Sequence, residues 1–153
     1  METRIAQRRD ASYLSDVLKE LVVAGKRHKP SDLEFARLHY IEHPDQLQCS
    51  LAINNDGSIA GFQSLKMAHV GNVYGTPTGW GIIGTHIRPT CARRGAGRLL
   101  FSASVKAAKL AGLPAIEAFI GSSNAEAIHY YEAMGFVTYR SVEGVDCKRL
   151  WVS

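Results

Sequence analysis

The stretch RPTCARRGAGRLL, residues Arg88 to Leu100, places four arginines and two glycines between a strand-like pattern and a helix-like pattern. A helix N-terminus leaves about four backbone N–H groups unpaired and carries about half a positive charge, so it suits a phosphate group. Gly95 and Gly97 would let such a ligand approach the backbone closely. Side-chain charge is added by Arg93, Arg94 and Arg98. The stretch therefore predicts either a pyrophosphate cradle or a basic turn in solvent.

The segments on either side of this loop predict a strand, a helix and a second strand. Ile82, Ile83 and Ile87 mark the strand before the loop. Apolar residues at helical spacing indicate the helix after it: Leu99, Leu100, Ala103, Ala107 and Leu110. Gly112 provides the C-cap, and a buried strand is predicted from Ala115 to Ile120.

The C-terminal part of the chain predicts one more helix and two strands. Ser123 and Glu126 form a capping-box pattern, which predicts a helix that begins there and ends at Gly135. Strands are then predicted from Phe136 to Arg140 and from Cys147 to Val152.

The N-terminal part predicts a strand, two helices and a hairpin. The strand is Thr3 to Gln7, and the second helix begins at a capping-box pair, Ser31 and Glu34. Asn55-Asp56-Gly57 is typical of a hairpin turn. The first helix is indicated by Tyr13, Val17, Leu18, Leu21 and Val22, and the hairpin strands are Cys49 to Asn54 and Ile59 to Met67. We therefore expect residues 1–153 to form a single mixed α/β domain with the order β-α-α-β-β-β-α-β-α-β-β.

Composition excludes several classes of protein. Hydrophobic residues make up 46% and charged residues 21%, which is typical of a globular chain and not of a disordered one. We expect no membrane span and no signal peptide, which favours a cytoplasmic location. The three cysteines lack metal-ligand spacing, so we expect buried free thiols and no metal site. A net charge of +4 does not by itself imply nucleic-acid binding.

Two familiar phosphate-binding motifs fit the arginine-rich loop poorly. A P-loop requires Gly-Lys-Ser/Thr after its second glycine, whereas this chain has Gly97-Arg98-Leu99. A dinucleotide fingerprint requires a third glycine where Leu100 stands and an acid at the end of the next strand. Glu117 lies at about the right distance but falls inside its predicted strand.

Two segments together resemble the GNAT superfamily of acyl-CoA-dependent N-acetyltransferases. The family's pyrophosphate motif, Gln/Arg-x-x-Gly-x-Gly/Ala after a strand that ends in apolar-x-Pro, is similar to Ile87-Arg88-Pro89 followed by Ala92-Arg93-Arg94-Gly95-Ala96-Gly97. Ala92 departs from the usual Gln or Arg at the first motif position. The segment NAEAIHYYEAMGF, residues 124–136, resembles the family's Asn-x-x-Ala-x-x-x-Tyr-x-x-x-Gly-Phe. The resemblance extends over roughly residues 80–140.

The resemblance implies a fold and a reaction. It implies a central mixed, mostly antiparallel sheet of six to seven strands flanked by four helices. It also implies transfer of an acetyl group from acetyl-CoA to a primary amine of a small molecule or peptide, with no nucleic-acid or membrane partner and with a homodimer as an expected assembly. We treat a catalytically silent CoA sensor and a basic nucleic-acid binder as alternatives.

The resemblance also assigns roles to individual residues. Tyr131 would protonate the departing thiolate, and His86 and Glu117 are the candidates for the general base. Side-chain alternation places His86 on the opposite sheet face from Thr85 and Ile87. The residues expected to bind the cofactor are Thr85, His86, Ile87, Ala92, Arg93, Arg94, Gly95, Ala96, Gly97, Arg98, Asn124, Ala127 and Tyr131.

Three other features allow two interpretations each. Lys26 to Lys29 is interpreted as a solvated loop that could also contact the acceptor. Tyr74 and Trp80 could shape the acceptor pocket or only brace the hairpin.

Overall fold

A computed structural model describes residues 1–152 and contains one seven-stranded sheet with four α-helices. The strands are β1 (Glu2–Ile5), β2 (Gln46–Ile53), β3 (Ile59–Met67), β4 (Gly81–Ile87), β5 (Ala115–Gly121), β6 (Val137–Val142) and β7 (Val145–Trp151). The helices are α1 (Ala11–Val23), α2 (Leu33–Ala36), α3 (Ala96–Leu110) and α4 (Ala125–Ala133). A π-helical turn, Arg37–Ile41, continues α2.

The sheet has the order β1-β2-β3-β4-β5-β7-β6, and only β4 and β5 run parallel. Their pairing is short, since Gly81–Ile83 align with residues 116–118 and no partner follows. Beyond Ile83 the two strands separate and leave an opening that we call the β4–β5 gap. The expected mixed, mostly antiparallel sheet with four helices is confirmed.

The helices cover the two faces of the sheet in pairs. On one side, α1 and α2 pack on β2 and β3 around Leu14, Leu18, Tyr40 and Phe62. On the other side, α3 and α4 pack on the sheet around Leu65, Ile83, Ala108, Ile116, Tyr131 and Phe136. We call these the α1–α2 face and the α3–α4 face. Each strand around the gap therefore sends alternate side chains to two different environments.

Both predicted capping boxes are wrong by one residue. Asp32, not Ser31, caps α2 by accepting a hydrogen bond from the Phe35 N–H at 3.1 Å. Asn124, not Ser123, caps α4 by accepting from the Ala127 N–H at 3.1 Å. In each case the next residue in the chain, an Asp or an Asn, occupies the N-cap position. These residue types are at least as favourable there as serine.

Among residues 1–152, no helix is long and apolar enough to cross a membrane. The same residues contain no group of three or more potential metal ligands. The thiols of Cys49, Cys91 and Cys147 are free and buried.

Candidate active site

The β4–β5 gap exposes backbone groups that a sheet would normally pair. The Arg88 N–H donates to the Ala60 carbonyl at 2.9 Å, so residue 88 faces β3. Because alternate residues of an antiparallel strand bond in opposite directions, Thr85 and Ile87 point their N–H and C=O groups into the gap. His86 turns its own backbone groups toward β3. The gap can therefore accept an extended chain as an additional strand next to Thr85 and Ile87.

The loop before α3 presents a row of unpaired amides beside this gap. None of the backbone N–H groups from Arg93 to Arg98 donates to an acceptor within the described part of the chain. Gly95 is the N-cap residue of α3 and has φ +88°, with no side chain capping the helix. Arg93 also has positive φ, +62°, which is unusual for a residue with a Cβ. A left-handed residue, Gly95, followed by the right-handed first turn of α3 is the backbone pattern of anion-binding nests.

The side chains of this loop add charge to the row of amides. Arg93, Arg94 and Arg98 are exposed, and none forms an ion pair with a carboxylate in residues 1–152. Ala92 is exposed as well and contributes only its backbone. Ala96 is 2% exposed and anchors the first turn of α3 against Leu100 and β3. The loop thus combines unpaired backbone amides with three exposed guanidinium groups, and both kinds of group are hydrogen-bond donors to anions.

A glycine at position 97 is needed for the packing of α3 on α4 as well as for access of a ligand to the backbone. Its φ is not positive, and a Cβ at this position would lie 2.6 Å from Cε1 of Tyr130. The Tyr130 hydroxyl donates to the Gly97 carbonyl at 2.7 Å. Close approach of α4 is therefore a second reason for a glycine at this position, besides the close approach of a ligand that the sequence predicts.

A chain of hydrogen bonds connects the gap with α3 and α4 on the α3–α4 face. Gln63, fully buried on β3, donates through Nε2 to Thr85 Oγ1 at 2.9 Å and to Tyr130 Oη at 3.0 Å. Ser104 Oγ donates to Gln63 Oε1 at 2.6 Å. Thr85 Oγ1 and Tyr131 Oη lie 2.8 Å apart. The amide of Gln63 therefore orients the hydroxyls of Thr85 and Tyr130, and Thr85 in turn contacts the hydroxyl of Tyr131.

Tyr131 is 5% exposed, and burial raises its pKa above the usual value near 10. The hydroxyl of Tyr131 thus keeps its proton near neutral pH. Asn124 and Ala127 lie about two turns and one turn before it, respectively, at the start of α4. Oδ1 of Asn124 is used as the helix cap, which leaves its Nδ2 available as a donor.

His86 lies on the α1–α2 face, as its alternation with Thr85 requires. Its ring packs 4.7 Å from the Phe62 ring and 5.3 Å from the Tyr40 ring, measured between centroids. Burial, together with the charges of Arg27, Lys29 and Lys66, lowers the pKa of His86 to about 3. His86 is therefore a neutral imidazole at physiological pH, and it is a poor acceptor for the proton of an ammonium group.

Glu117 is held in an ion pair away from the open end of the gap. It is fully buried on β5, and Arg140 Nη2 donates to its Oε1 at 2.5 Å. Arg140 also donates to the Tyr74 carbonyl at 2.9 Å. Glu117 aligns with Ile82, three positions before Thr85, which corresponds to about 10 Å along a strand. The structure thus does not bring Glu117 to the position that a general base requires.

Sequence reasoning missed Gln63, Ser104 and Tyr130, and it misplaced Arg27. Gln63 is the single side-chain amide of β3, in which residues 59–66 are all buried, and a buried amide is a weak signal that a polar partner is present. Tyr130 precedes the motif tyrosine and has no sequence signal of its own. Arg27, predicted within a solvated loop, is buried, whereas its neighbours Lys26 and His28 are exposed.

A family model described as the acetyltransferase (GNAT) family matches residues 14–136, which include the loop from Arg93 to Arg98, the β4–β5 gap and α4. The chain belongs to the GNAT acetyltransferase family. A search of curated protein sequences finds no match.

Solved GNAT structures share the fold over the whole chain. A GCN5-related N-acetyltransferase from Kribbella flavida has a TM-score of 0.81 and 19% identity, covering 98% of this chain and 96% of its own. YncA from Salmonella typhimurium, solved with its cofactor acetyl-CoA, has a TM-score of 0.74 and 18% identity, covering 99% and 93%. The PaiA N-acetyltransferase from Thermoplasma acidophilum, in complex with coenzyme A, has a TM-score of 0.75 and 16% identity, covering 98% of each chain.

Proposed function

We propose that this GNAT protein transfers an acetyl group from acetyl-CoA directly to a primary amine of a small molecule or peptide. One observation carries the proposal: six consecutive unpaired amides, Arg93 to Arg98, lie beside a gap in the sheet that exposes the backbone of Thr85 and Ile87. A pyrophosphate with an extended arm matches this arrangement, since the phosphates need donors and the arm needs a strand partner.

The residues present fit coenzyme A along its length. The amides of the loop, with Arg93, Arg94 and Arg98, would hold the pyrophosphate. Thr85 and Ile87 would pair with the amide groups of the pantetheine arm, and Asn124 Nδ2 and Ala127 would contact it from α4. His86 is removed from this set, because its backbone groups face β3 and its side chain lies on the α1–α2 face.

The transfer forms a C–N bond and breaks the C–S bond of the thioester. The Ile87 N–H, which points into the gap, is the donor available to the oxyanion that develops on the thioester carbonyl. The departing thiolate takes a proton from Tyr131 Oη. When Thr85 accepts from Gln63 and donates to Tyr131, the Tyr131 proton is free to point into the gap.

The acceptor amine must lose a proton, and Glu117, the carboxylate candidate for the base, is held by Arg140 on β5. His86, with a pKa of about 3, holds the attacking nitrogen by a hydrogen bond and does not act as a strong base. The amine therefore enters in its neutral form, and its excess proton passes to solvent after the C–N bond has formed.

Two measurements test this function. Calorimetry with CoA and acetyl-CoA should show micromolar binding, and release of free thiol should accelerate when an amine from a broad panel is added. Binding without thiol release for any amine would favour the CoA sensor. Absence of binding at millimolar CoA would contradict the whole proposal.

A further inference from the structure

Two buried cations on the α1–α2 face have no counter-ion. Five charged residues are buried in the described chain: Asp10, Arg27, Lys66, Glu117 and Lys148. Asp10, Glu117 and Lys148 each have an oppositely charged partner within 4 Å. Arg27 and Lys66, each 8% exposed, have none among residues 1–152. A buried charge without a partner is costly, so this pair requires an explanation.

Both cations lie against the same aromatic ring. Arg27 Nη1 donates to the Tyr40 hydroxyl over a long 3.4 Å, and Lys66 Nζ is 5.5 Å from the centre of the Tyr40 ring. The Arg27 guanidinium is oriented by two further bonds, from Nε at 3.2 Å and from Nη2 at 2.8 Å, to the Pro30 carbonyl. Its Nη1 edge therefore retains donor capacity.

The Tyr40 ring also places the two cations beside the reaction site. The His86 ring lies 5.3 Å from the Tyr40 ring, and Thr85 and Ile87 flank His86 on β4. Lys66 Nζ makes no hydrogen bond within the described residues. An acceptor that approached β4 from the α1–α2 face would thus meet two unpaired positive groups.

The neighbouring titratable groups do not neutralise them. Burial and the nearby cations lower the pKa of His39 to about 4, so His39 is neutral. Lys29 adds a further positive charge that acts on Lys66 and His86. Asp45, the one carboxylate that acts on Lys66, lies 2.6 Å from Nδ1 of His69 and has no Lys or Arg nitrogen of residues 1–152 within 4 Å. The face is therefore positive, which repels polyamines.

We propose that the acceptor is an amine that also carries an anionic oxygen group, a carboxylate or phosphonate, and that Arg27 and Lys66 bind that group beside Tyr40. This inference rests on the proposed acetyl transfer, since it names the class of molecule that supplies the amine. The anion would provide the missing counter-charge, and its attachment to Arg27 and Lys66 would direct the amine toward His86 and the gap.

The test compares acceptors that differ only in charge. The common amino acids, including β- and γ-amino acids, are assayed beside their carboxamides and spermidine by release of free thiol. We expect kcat/KM to be about tenfold or more higher for the anionic member of at least one pair. Lys66→Met should raise KM for that acceptor by about tenfold and leave KM for its carboxamide unchanged, whereas Lys66→Arg should retain most of the preference. Lys109→Met, on the exposed end of α3, is the matched control.

A binding experiment decides the inference even where no acceptor is turned over. N-acetylglycine and methylphosphonate are titrated by calorimetry into the wild type and Lys66→Met, each saturated with CoA. Anion binding that weakens by about tenfold in Lys66→Met supports the proposal. Acetylation of carboxamides or spermidine as fast as that of the anionic acceptors would overturn the proposal. Absence of anion binding by a protein that binds CoA would overturn it as well. Failure to bind CoA would instead contradict the acetyltransferase function itself.

Discussion

The ring of Tyr130 occupies the space in which a Cβ on Gly97 would lie. Cε1 of Tyr130 would be 2.6 Å from that Cβ, and the Tyr130 hydroxyl donates to the carbonyl of Gly97 itself. The first turn of α3, whose amides are proposed to bind the phosphates, is therefore packed directly on α4. The position of the proposed pyrophosphate site thus depends on a contact between two helices that are distant in sequence.

Gly97→Ala should disturb this contact. Because the ring is confined by its bonds to Gly97 and Gln63, either helix must shift, and overpacking of this kind costs about 1–3 kcal/mol. We expect a lower Tm and weaker CoA binding, measured by thermal unfolding and calorimetry. Gly97→Ala combined with Tyr130→Leu should recover part of both losses, while Ser102→Ala on the exposed side of α3 serves as a control. Unchanged Tm and CoA affinity in Gly97→Ala would show that the contact is looser than described.

Tyr131→Phe should lower the rate of acetyl transfer without weakening cofactor binding. Its hydroxyl lies 2.8 Å from Thr85 Oγ1 beside the gap, and loss of the general acid proposed there would cost about 100-fold or more in rate. The ring, which packs against Phe136, is retained, so CoA affinity by calorimetry should change little. Tyr13→Phe, exposed on α1, is the matched control. An equal rate in Tyr131→Phe and Tyr13→Phe would remove Tyr131 from the mechanism.

Local sequence signals predicted the loop and the order of elements, because they depend on neighbours in the chain. Gly95 at positive φ is required by the turn into α3, and the order of strands and helices follows from short apolar periods. Long-range contacts gave no such signal. The contact of Gly97 with Tyr130 and the ion pair of Glu117 with Arg140 each join residues that are far apart in sequence. The burial of Arg27 gave no signal because Arg27 lies within a basic segment that reads as exposed.

Glu117→Gln should damage stability far more than catalysis. Removal of the carboxylate leaves Arg140 without its partner, and breaking a buried pair from one side costs about 3–5 kcal/mol, reduced here because Arg140 is partly exposed. Glu117→Gln combined with Arg140→Met should unfold at a higher temperature than Glu117→Gln alone. At a temperature where every variant is folded, kcat should remain within a few-fold of wild type. A loss of kcat of about 100-fold in folded Glu117→Gln, with a change in its pH profile, would restore Glu117 as the general base.

Lys66→Met should make the protein more stable while weakening its hold on anions. Burial lowers the pKa of Lys66 to about 8, against about 10.4 for an unfolded chain. Between these values the unfolded state binds more protons, so the free energy of unfolding contributed by this group rises with pH, and below about pH 8 the charged Lys66 is destabilising. The groups that act on Lys66 are Asp45, Cys49 and Lys29.

Denaturant unfolding of wild type and Lys66→Met at pH 7 and pH 9.5 tests this prediction. The variant should be more stable than wild type at pH 7, and the difference should shrink at pH 9.5 as Lys66 of the wild type loses its proton. Binding of N-acetylglycine to the wild type should weaken above pH 8 for the same reason, since neutral Lys66 no longer supplies a counter-charge. Lys66→Arg, which keeps its charge throughout this range, should bind the anion equally well at both pH values. A Lys66→Met variant that is less stable than wild type at pH 7 would contradict the prediction. It would mean that Lys66 stabilises the fold and is not an unpaired charge that binds a ligand.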